Sequence, residues 1–271
     1  MTDTAAIAEA FSRTAEKYDA FGEEHPHLLR LRSKVYAHLD QLLKPGSRIL
    51  ELNAGSGTDA VELARRGYRV HATDIAPGML ARAREKVQTL GLSDKVTVQE
   101  CSFTELDRVT GAPFDAVFSN LGGLNCVPDL EPVVQQLPRL VAPGGYVTCV
   151  IMPPVCLWEM ADVFRGRFRV AFRRFSRKGT IARLEGLRFT VHYFSPSRVE
   201  SAFGPQYRRV ALEGLSVLTP TAESKDFAKR HTSLYRLLCR LDDAVSGRAR
   251  WSGWGDFYIL SFRYEPGDRR R

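Results

Sequence analysis

Apolar positions change their spacing several times along the chain, and each change marks an element. Residues 4–20 predict a short helix followed by the turn-like YDAFG. Leu28, Leu31, Val35, Leu39 and Leu42 then recur at helical spacing and give one apolar face. Pro45-Gly46 stops that helix. SRILEL predicts a strand, a Gly-rich turn follows, and a helix runs through Val61 and Ala64 to Gly67. RVHAT predicts a second strand. Pro77 opens a helix with Met79, Ala83, Val87 and Leu90 on its buried face, and Gly91 ends it. KVTVQ and FDAVFS predict two more strands, and DLEPVVQQLPRLV a helix kinked or shortened at Pro138. After the turn Pro143-Gly144-Gly145, YVTCVIM predicts a fifth strand. Strands alternating with helices over short connections imply a parallel sheet covered on both faces and wound by right-handed crossovers.

The pattern changes after residue 152. Residues 154–178 are rich in Arg and Phe. Short strands are expected near 180–184 and 188–193, a helix at 197–203, and long strands in YRRVALEGLSVL and FYILSFRY. Residues 220–250 between those strands read as mostly helical and polar, and the RRR tail as disordered.

Composition adds limits. The chain has 271 residues, enough for one α/β domain with additions. Its formal net charge of +8 is compatible with nucleic acid, a membrane surface or an acidic small substrate, and equally with a basic protein that binds none of them. Five scattered cysteines without CxxC spacing give no metal site and suit a reducing, cytoplasmic setting. Asp3 and Glu9 argue against a signal peptide, and no apolar run is long enough to span a bilayer.

Candidate chemistry gathers where the first strand ends, in ILELNAGSGTDA. Gly55 and Gly57 let backbone approach a ligand, and the helix behind them favours an anionic group. Asp74, at the end of the second strand, can accept hydrogen bonds from ribose hydroxyls. Gly55, Gly57 and Ala60 fit the loose dinucleotide fingerprint. Two features oppose a dinucleotide. Glu51 lies inside the apolar strand, where a carboxylate points to a cationic or amine-bearing ligand, and no second nucleotide-binding half follows the fifth strand.

FSRTAEKYD, ILELNAGSGTDA, HATDIAPGML, FDAVFSNLGGL and RLVAPGGYVT stand in the order and spacing of a known family. Over residues 10–152 the chain resembles the class I S-adenosylmethionine-dependent methyltransferases. The resemblance implies a Rossmann-like, doubly wound, mostly parallel seven-stranded sheet with an antiparallel last strand and an inserted cap. It implies a helical lid at 1–45, a cofactor-binding core at 46–152, a substrate cap at 153–206, and completion of the sheet with a helical insertion at 207–271. Glu51 would hold the amino group of S-adenosylmethionine, directly or through water. Asn53, Ala54, Gly55 and Gly57 would form the turn under its methionine part, and Thr58 would help at the carboxylate. Asp74 would bind ribose, with Ile75 and Met79 toward adenine. Tyr18 would close over the methionine end, and Asn120 would lie near the sulfonium. Where the family often has an Asp for the adenine amino group, this chain has Cys101, leaving Ser102 and Phe103 for that contact. Asn53 replaces a more usual Gly, which a left-handed backbone tolerates.

Methyl transfer requires alignment and exclusion of water, and a base only for a protonated acceptor. His192, at a strand end in the cap, is the candidate base; the alternative is that His192 or Tyr193 packs inward as structure. His25 and His27 are further candidates for the substrate mouth, Cys126 for the pocket wall, and Trp251 and Trp254 for a wall or a packed turn. His71 reads as a core or edge residue. Phe164, Phe168, Phe172 and Phe175 recur at helical spacing among six arginines. The expected arrangement packs the Phe face on the core and solvates the Arg face; a lid, a peripheral contact with an anionic membrane, or a phosphate contact are the alternatives. The cap favours a small-molecule acceptor. An RNA or protein acceptor is the competing reading, disfavoured by the lack of an NPPY-like motif or an RNA-binding module. A non-catalytic nucleoside-binding protein is the third. Oligomeric state is not legible.

Overall fold

A computed structural model describes residues 3–23, 25–224 and 226–267; the RRR tail lies outside them. The chain opens with helices α1 (Asp3–Glu23) and α2 (Pro26–Leu42). Then come β1 (Arg48–Leu52), α3 (Thr58–Arg65), β2 (Arg69–Asp74), α4 (Pro77–Thr89), β3 (Val96–Glu100), β4 (Phe114–Ser119), α5 (Glu131–Val134) and β5 (Val141–Ile151). One-turn helices α6 (Leu157–Met160) and α7 (Phe168–Ala171) precede the hairpin β6 (Thr180–Leu184) and β7 (Leu187–Val191). Helix α8 (Pro196–Phe203), β8 (Tyr207–Leu215), α9 (Phe227–Arg230), α10 (Thr232–Val245) and β9 (Phe257–Tyr264) complete the order.

Seven strands form one sheet in the order β3-β2-β1-β4-β5-β9-β8. The first five pair in parallel, and β9 runs antiparallel between β5 and β8. This is the Rossmann-like, mostly parallel sheet with an antiparallel last strand that the resemblance implies. Successive strand residues face opposite sides. Leu50, Leu52 and Val117 pack with Val133, Val199 and Phe203 from α5 and α8. Ile49, Ala116 and Phe118 pack with Leu31, Val35 and Val61 from α2 and α3. Glu51 shares the parity of Ile49, so its carboxylate enters the α2 and α3 layer.

Several elements differ from expectation. YDAFG continues α1 instead of turning. The fifth strand begins at Val141 and runs through the Pro-Gly-Gly sequence, with a register shift against β4. The helix before it shrinks to α5 and a 3-10 turn at Leu137–Arg139, as the prolines require. Among the described residues, no helix is long and apolar enough to cross a membrane.

The Arg/Phe stretch reverses its expected arrangement. Phe164, Phe168, Phe172 and Phe175 are exposed, whereas Arg174 is buried. Its guanidinium donates to Glu159 Oε1 at 2.6 Å and to Asp256 Oδ1 at 2.7 Å. Two buried carboxylates need a cation more than the core needs four more phenylalanines. Cys156 joins Glu159 and Asp256 within 4.8 Å, but Arg174 already supplies the positive charge there. Trp251 and Trp254 pack edge-on at 5.2 Å in the turn before β9, away from the site described next.

Candidate functional site

The strand order reverses between β1 and β4, and a crevice opens there beyond their carboxyl ends. The loop after β1 enters it in left-handed backbone, with Asn53 at φ 51°, Gly55 at 56° and Gly57 at 76°. Asn53 is fixed by its side chain: Ser119 Oγ donates to its Oδ1 at 2.6 Å, and its Nδ2 donates to the Asn120 carbonyl at 3.0 Å. A Cβ on Gly123 would meet the Asn53 side chain at 2.1 Å, so the two positions are matched. Gly57 is not in the cavity lining. A Cβ there would sit 3.0 Å from Ala83 Cβ, so this glycine serves the packing of α3 on α4.

A cavity of about 280 Å³ fills the crevice. Tyr18, Asn53, Ala54, Gly55, Thr58, Asp74, Ile75, Met79, Cys101, Ser102, Phe103 and Asn120 all line it, as do Cys126 and Met152. Its roof is α1, through Ile7 and Phe11, with Ala182, Phe189 and Val191 of the hairpin. Phe11 and Phe189 meet at 6.1 Å between ring centres. Asp19 fixes α1 in place by accepting from Ser56 Oγ, Thr58 Oγ1 and Lys86 Nζ. Burial opposes that carboxyl's charge, but hydrogen bonds from Ser56 and Lys86 outweigh burial and hold it below its ordinary value.

A cluster of charged side chains spans the wall: Arg32 and Asp59 line the cavity, and Glu51 lies behind the lining. Asp59 accepts from Tyr36 OH and from Asn120 Nδ2 at 3.0 Å, and Arg32 Nε lies 3.1 Å from it. Glu51 is 1% exposed, and its Oε2 has no hydrogen-bond partner. Burial first, then Asp59, push its carboxyl well above the ordinary value, while Arg32 pulls the other way. An orphaned buried carboxylate oxygen costs about 1–3 kcal/mol unless a partner arrives. A ligand ammonium is such a partner. Asp74 accepts from Gly55 N at 2.8 Å and Ala76 N at 2.9 Å. A carboxylate has about four acceptor positions, so Asp74 keeps room for a ligand hydroxyl. Arg32 reaches the same cavity and can receive a carboxylate. An amino acid joined to a nucleoside fits this set of groups: ammonium acceptor, carboxylate receiver, hydroxyl acceptor and apolar wall.

The structure does not bring the candidate histidines to the cavity. Phe189 and Val191 face inward, so alternation turns His192 outward, toward Gly179, where its Nδ1 lies 3.0 Å from a built Cβ. Its backbone, not its ring, is used: His192 N donates to Asn125 O at 2.7 Å. His25 Nε2 pairs with Ala222 O, and His27 sits between Ser216 and Tyr235. Burial, with His25 and Arg30, pushes His27 down to about 4. His71 bridges to Thr97 and Gln99 on β3. Sequence reasoning missed Asp19, Arg32 and Asp59. Asp19 adjoins Tyr18 in the YD pair and Asp59 stands in ILELNAGSGTDA, which were the available signals; Arg32 lay on a helix with nothing to mark it.

Comparison with known proteins agrees with this chemistry. A family described as a methyltransferase domain matches residues 49–145. The chain is 33% identical to a demethylmenaquinone methyltransferase of Thermus thermophilus, over 76% of this chain and 91% of the relative. It is 30% identical to a malonyl-[acyl-carrier protein] O-methyltransferase of Halorhodospira halophila, over 73% of this chain and 69% of the relative. The solved structure of an S-adenosylmethionine-dependent methyltransferase from Methanosarcina mazei shares the fold, at 17% identity and a TM-score of 0.58 over 84% of this chain and 97% of that one. With these relatives, a site shaped for an amino acid and a nucleoside together identifies the chain as a member of the class I S-adenosylmethionine-dependent methyltransferases.

Proposed function

We propose that the enzyme methylates a small acceptor with an apolar body, inside the cavity under α1 and the β6–β7 hairpin. The observation that carries this reading is the enclosure. Ile7, Phe11, Phe189, Val191, Val127 and Met152 give the space an apolar wall under α1 and the hairpin, which suits a small acceptor. The cofactor, when bound, supplies an electrophilic methyl group on a sulfonium. Glu51 holds its amino group, with Arg32 and Thr58 at the carboxylate. Asp74 takes the ribose hydroxyls. Ile75, Met79, Cys101, Ser102 and Phe103 surround the adenine, and Tyr18 and Asn120 bound the reacting end.

The cavity wall offers no base. No histidine lines it. Asp59 and Asp74 are engaged by their own hydrogen bonds. Burial pushes the Cys126 thiol up to about 12 and raises Tyr18 as well. The acceptor atom therefore enters already nucleophilic, as a carboxylate, a phenolate-like oxygen or an activated carbon, and rate comes from alignment and dryness. His192→Gln tests this. A general base contributes roughly 10²- to 10⁴-fold, so the variant should keep kcat/KM within about twofold, and a hundredfold loss would restore His192 to the mechanism.

One observation favours a second reading. Beyond Tyr18, Arg32 and Thr58 lies an open cleft of about 630 Å³ walled by Arg65, Arg66, Arg82 and Lys86, the last three paired with Glu62, Glu85 and Asp19 in the same wall. A phosphate-bearing RNA acceptor would use that cleft. Its turnover would then fall steeply with salt, whereas a small enclosed acceptor gives a shallow dependence.

A further inference from the structure

We propose that the outer face of residues 164–183 docks on an anionic phospholipid surface. Phe164 is 93% exposed, Phe168 59%, Phe172 50%, Phe175 49% and Ile181 59%. Five large apolar side chains this exposed between residues 164 and 181 are unusual on a water-facing segment, and exposed apolar surface of that kind marks contact surfaces. The Phe172 and Phe175 rings lie 6.2 Å apart, and Thr180 Oγ1 donates to the Arg173 carbonyl at 3.0 Å, which fastens the hairpin carrying Ile181 beside them.

Charge selects the occupant. Residues 163–183 contain no acid. Arg173 and Arg174 are consumed by Glu159, Glu223 and Asp256, and Arg165 and Arg167 share Asp162. Arg169, Arg177, Lys178 and Arg183 have no carboxylate partner among the described residues, and all four are exposed. Two copies meeting through this face would place those cations against each other, which disfavours a symmetric dimer. Bare phenylalanines among unpaired cations match the acyl boundary below anionic headgroups. Single-stranded nucleic acid would also use aromatic rings and cations, but it tracks a groove, whereas Arg169, Arg177, Lys178 and Arg183 stand exposed on an outer face.

The location gives the contact a use. On β6, Ala182 lines the cavity while Ile181 and Arg183 are exposed, so the proposed lipid face is the back of the cavity roof. Docking would bring the roof to the phase in which an apolar acceptor dissolves. The binding test below needs no acceptor, so it succeeds or fails separately from the reading of the cavity.

The test is co-sedimentation of the full chain with vesicles of pure phosphatidylcholine and of phosphatidylcholine with phosphatidylglycerol at about 7:3, in low salt. The expected result is partitioning at least ~10-fold stronger onto the anionic vesicles, weakened ~10-fold by Phe164→Ser with Phe168→Ser, and weakened likewise by Arg169→Glu with Arg177→Glu. A retained thermal shift with S-adenosylhomocysteine shows that each variant is folded; if the Phe pair fails that control, the Arg pair and a salt titration decide. The proposal is overturned by equal binding to both vesicle types, by Phe variants that bind as tightly as the parent, or by Arg-dependent binding to single-stranded RNA that exceeds binding to vesicles.

Discussion

Glu51 faces into the α2 and α3 layer because strand parity leaves it no other direction, and there its Oε2 goes without a partner. Burial raises its carboxyl pKa in the folded state. From the ordinary value upward, the native chain therefore keeps a proton that the unfolded chain has released, and stability falls as pH climbs toward the folded pKa. Glu51→Gln removes that penalty. Denaturant melts of the cofactor-free chain should show the variant gaining on the parent as pH rises above the ordinary carboxyl range. Calorimetry should show it losing roughly 10- to 100-fold in affinity for S-adenosylhomocysteine, since a charge-assisted hydrogen bond is worth about 1.5–3 kcal/mol. Unchanged affinity would remove Glu51 from the site. Gly57 and Gly55 separate two roles that the sequence pattern joins. Gly57→Ala meets Ala83 at 3.0 Å with φ at 76° and should cost about 1–3 kcal/mol of unfolding free energy. Gly55→Ala has only Tyr18, at 3.9 Å, near its new methyl and should weaken cofactor binding more than stability, relative to Gly57→Ala. Glu51 and Asp74 were legible because a carboxylate within or ending an apolar strand has few explanations. Arg32 and Asp59 were not, because their partners lie 23 or more residues away and no local pattern encodes the pairing.

Helix α1 is the element on which enclosure depends. The sequence showed a helix at its start but a turn at YDAFG, since Asp and Gly favour turns. Tertiary contacts override that preference: continued helix points Asp19 at Ser56, Thr58 and Lys86. The other anchor is Gly78, where an added Cβ would stand 2.6 Å from the Ser12 carbonyl oxygen. Gly78→Ala should therefore unseat α1 while leaving the sheet intact. Hydrogen exchange should speed up in residues 3–23 and stay slow in β1 and β4, and cofactor affinity should fall severalfold. Exchange that accelerates throughout would show that α1 is part of the core and not a roof. The hairpin was legible as two strands. Its inner face was not, because period-2 alternation fixes which residues share a side but not which side meets the cavity. His192 was misplaced for that reason.

At the scale of the whole molecule, the parallel, doubly wound part of the sheet followed from alternation and right-handed crossovers, whereas the antiparallel last strand followed only from the family resemblance. The net charge of +8 by itself decided nothing. The fold distributes that charge into a cleft of arginines and carboxylates beside α2, α3 and α4 and a Phe-rich basic face behind the hairpin; α3 follows the cofactor turn directly, whereas the basic face is distant from it in sequence. The central claim concerns which space the methyl group enters, and a crystal structure with S-adenosylhomocysteine tests it most directly. The account predicts adenine beside Ile75 and Phe103, the amino group on Glu51, and the sulfur facing a closed apolar space near Met152 and Val127 under α1 and the hairpin. A sulfur that opens instead onto the cleft of Arg65, Arg66 and Arg82 would contradict it.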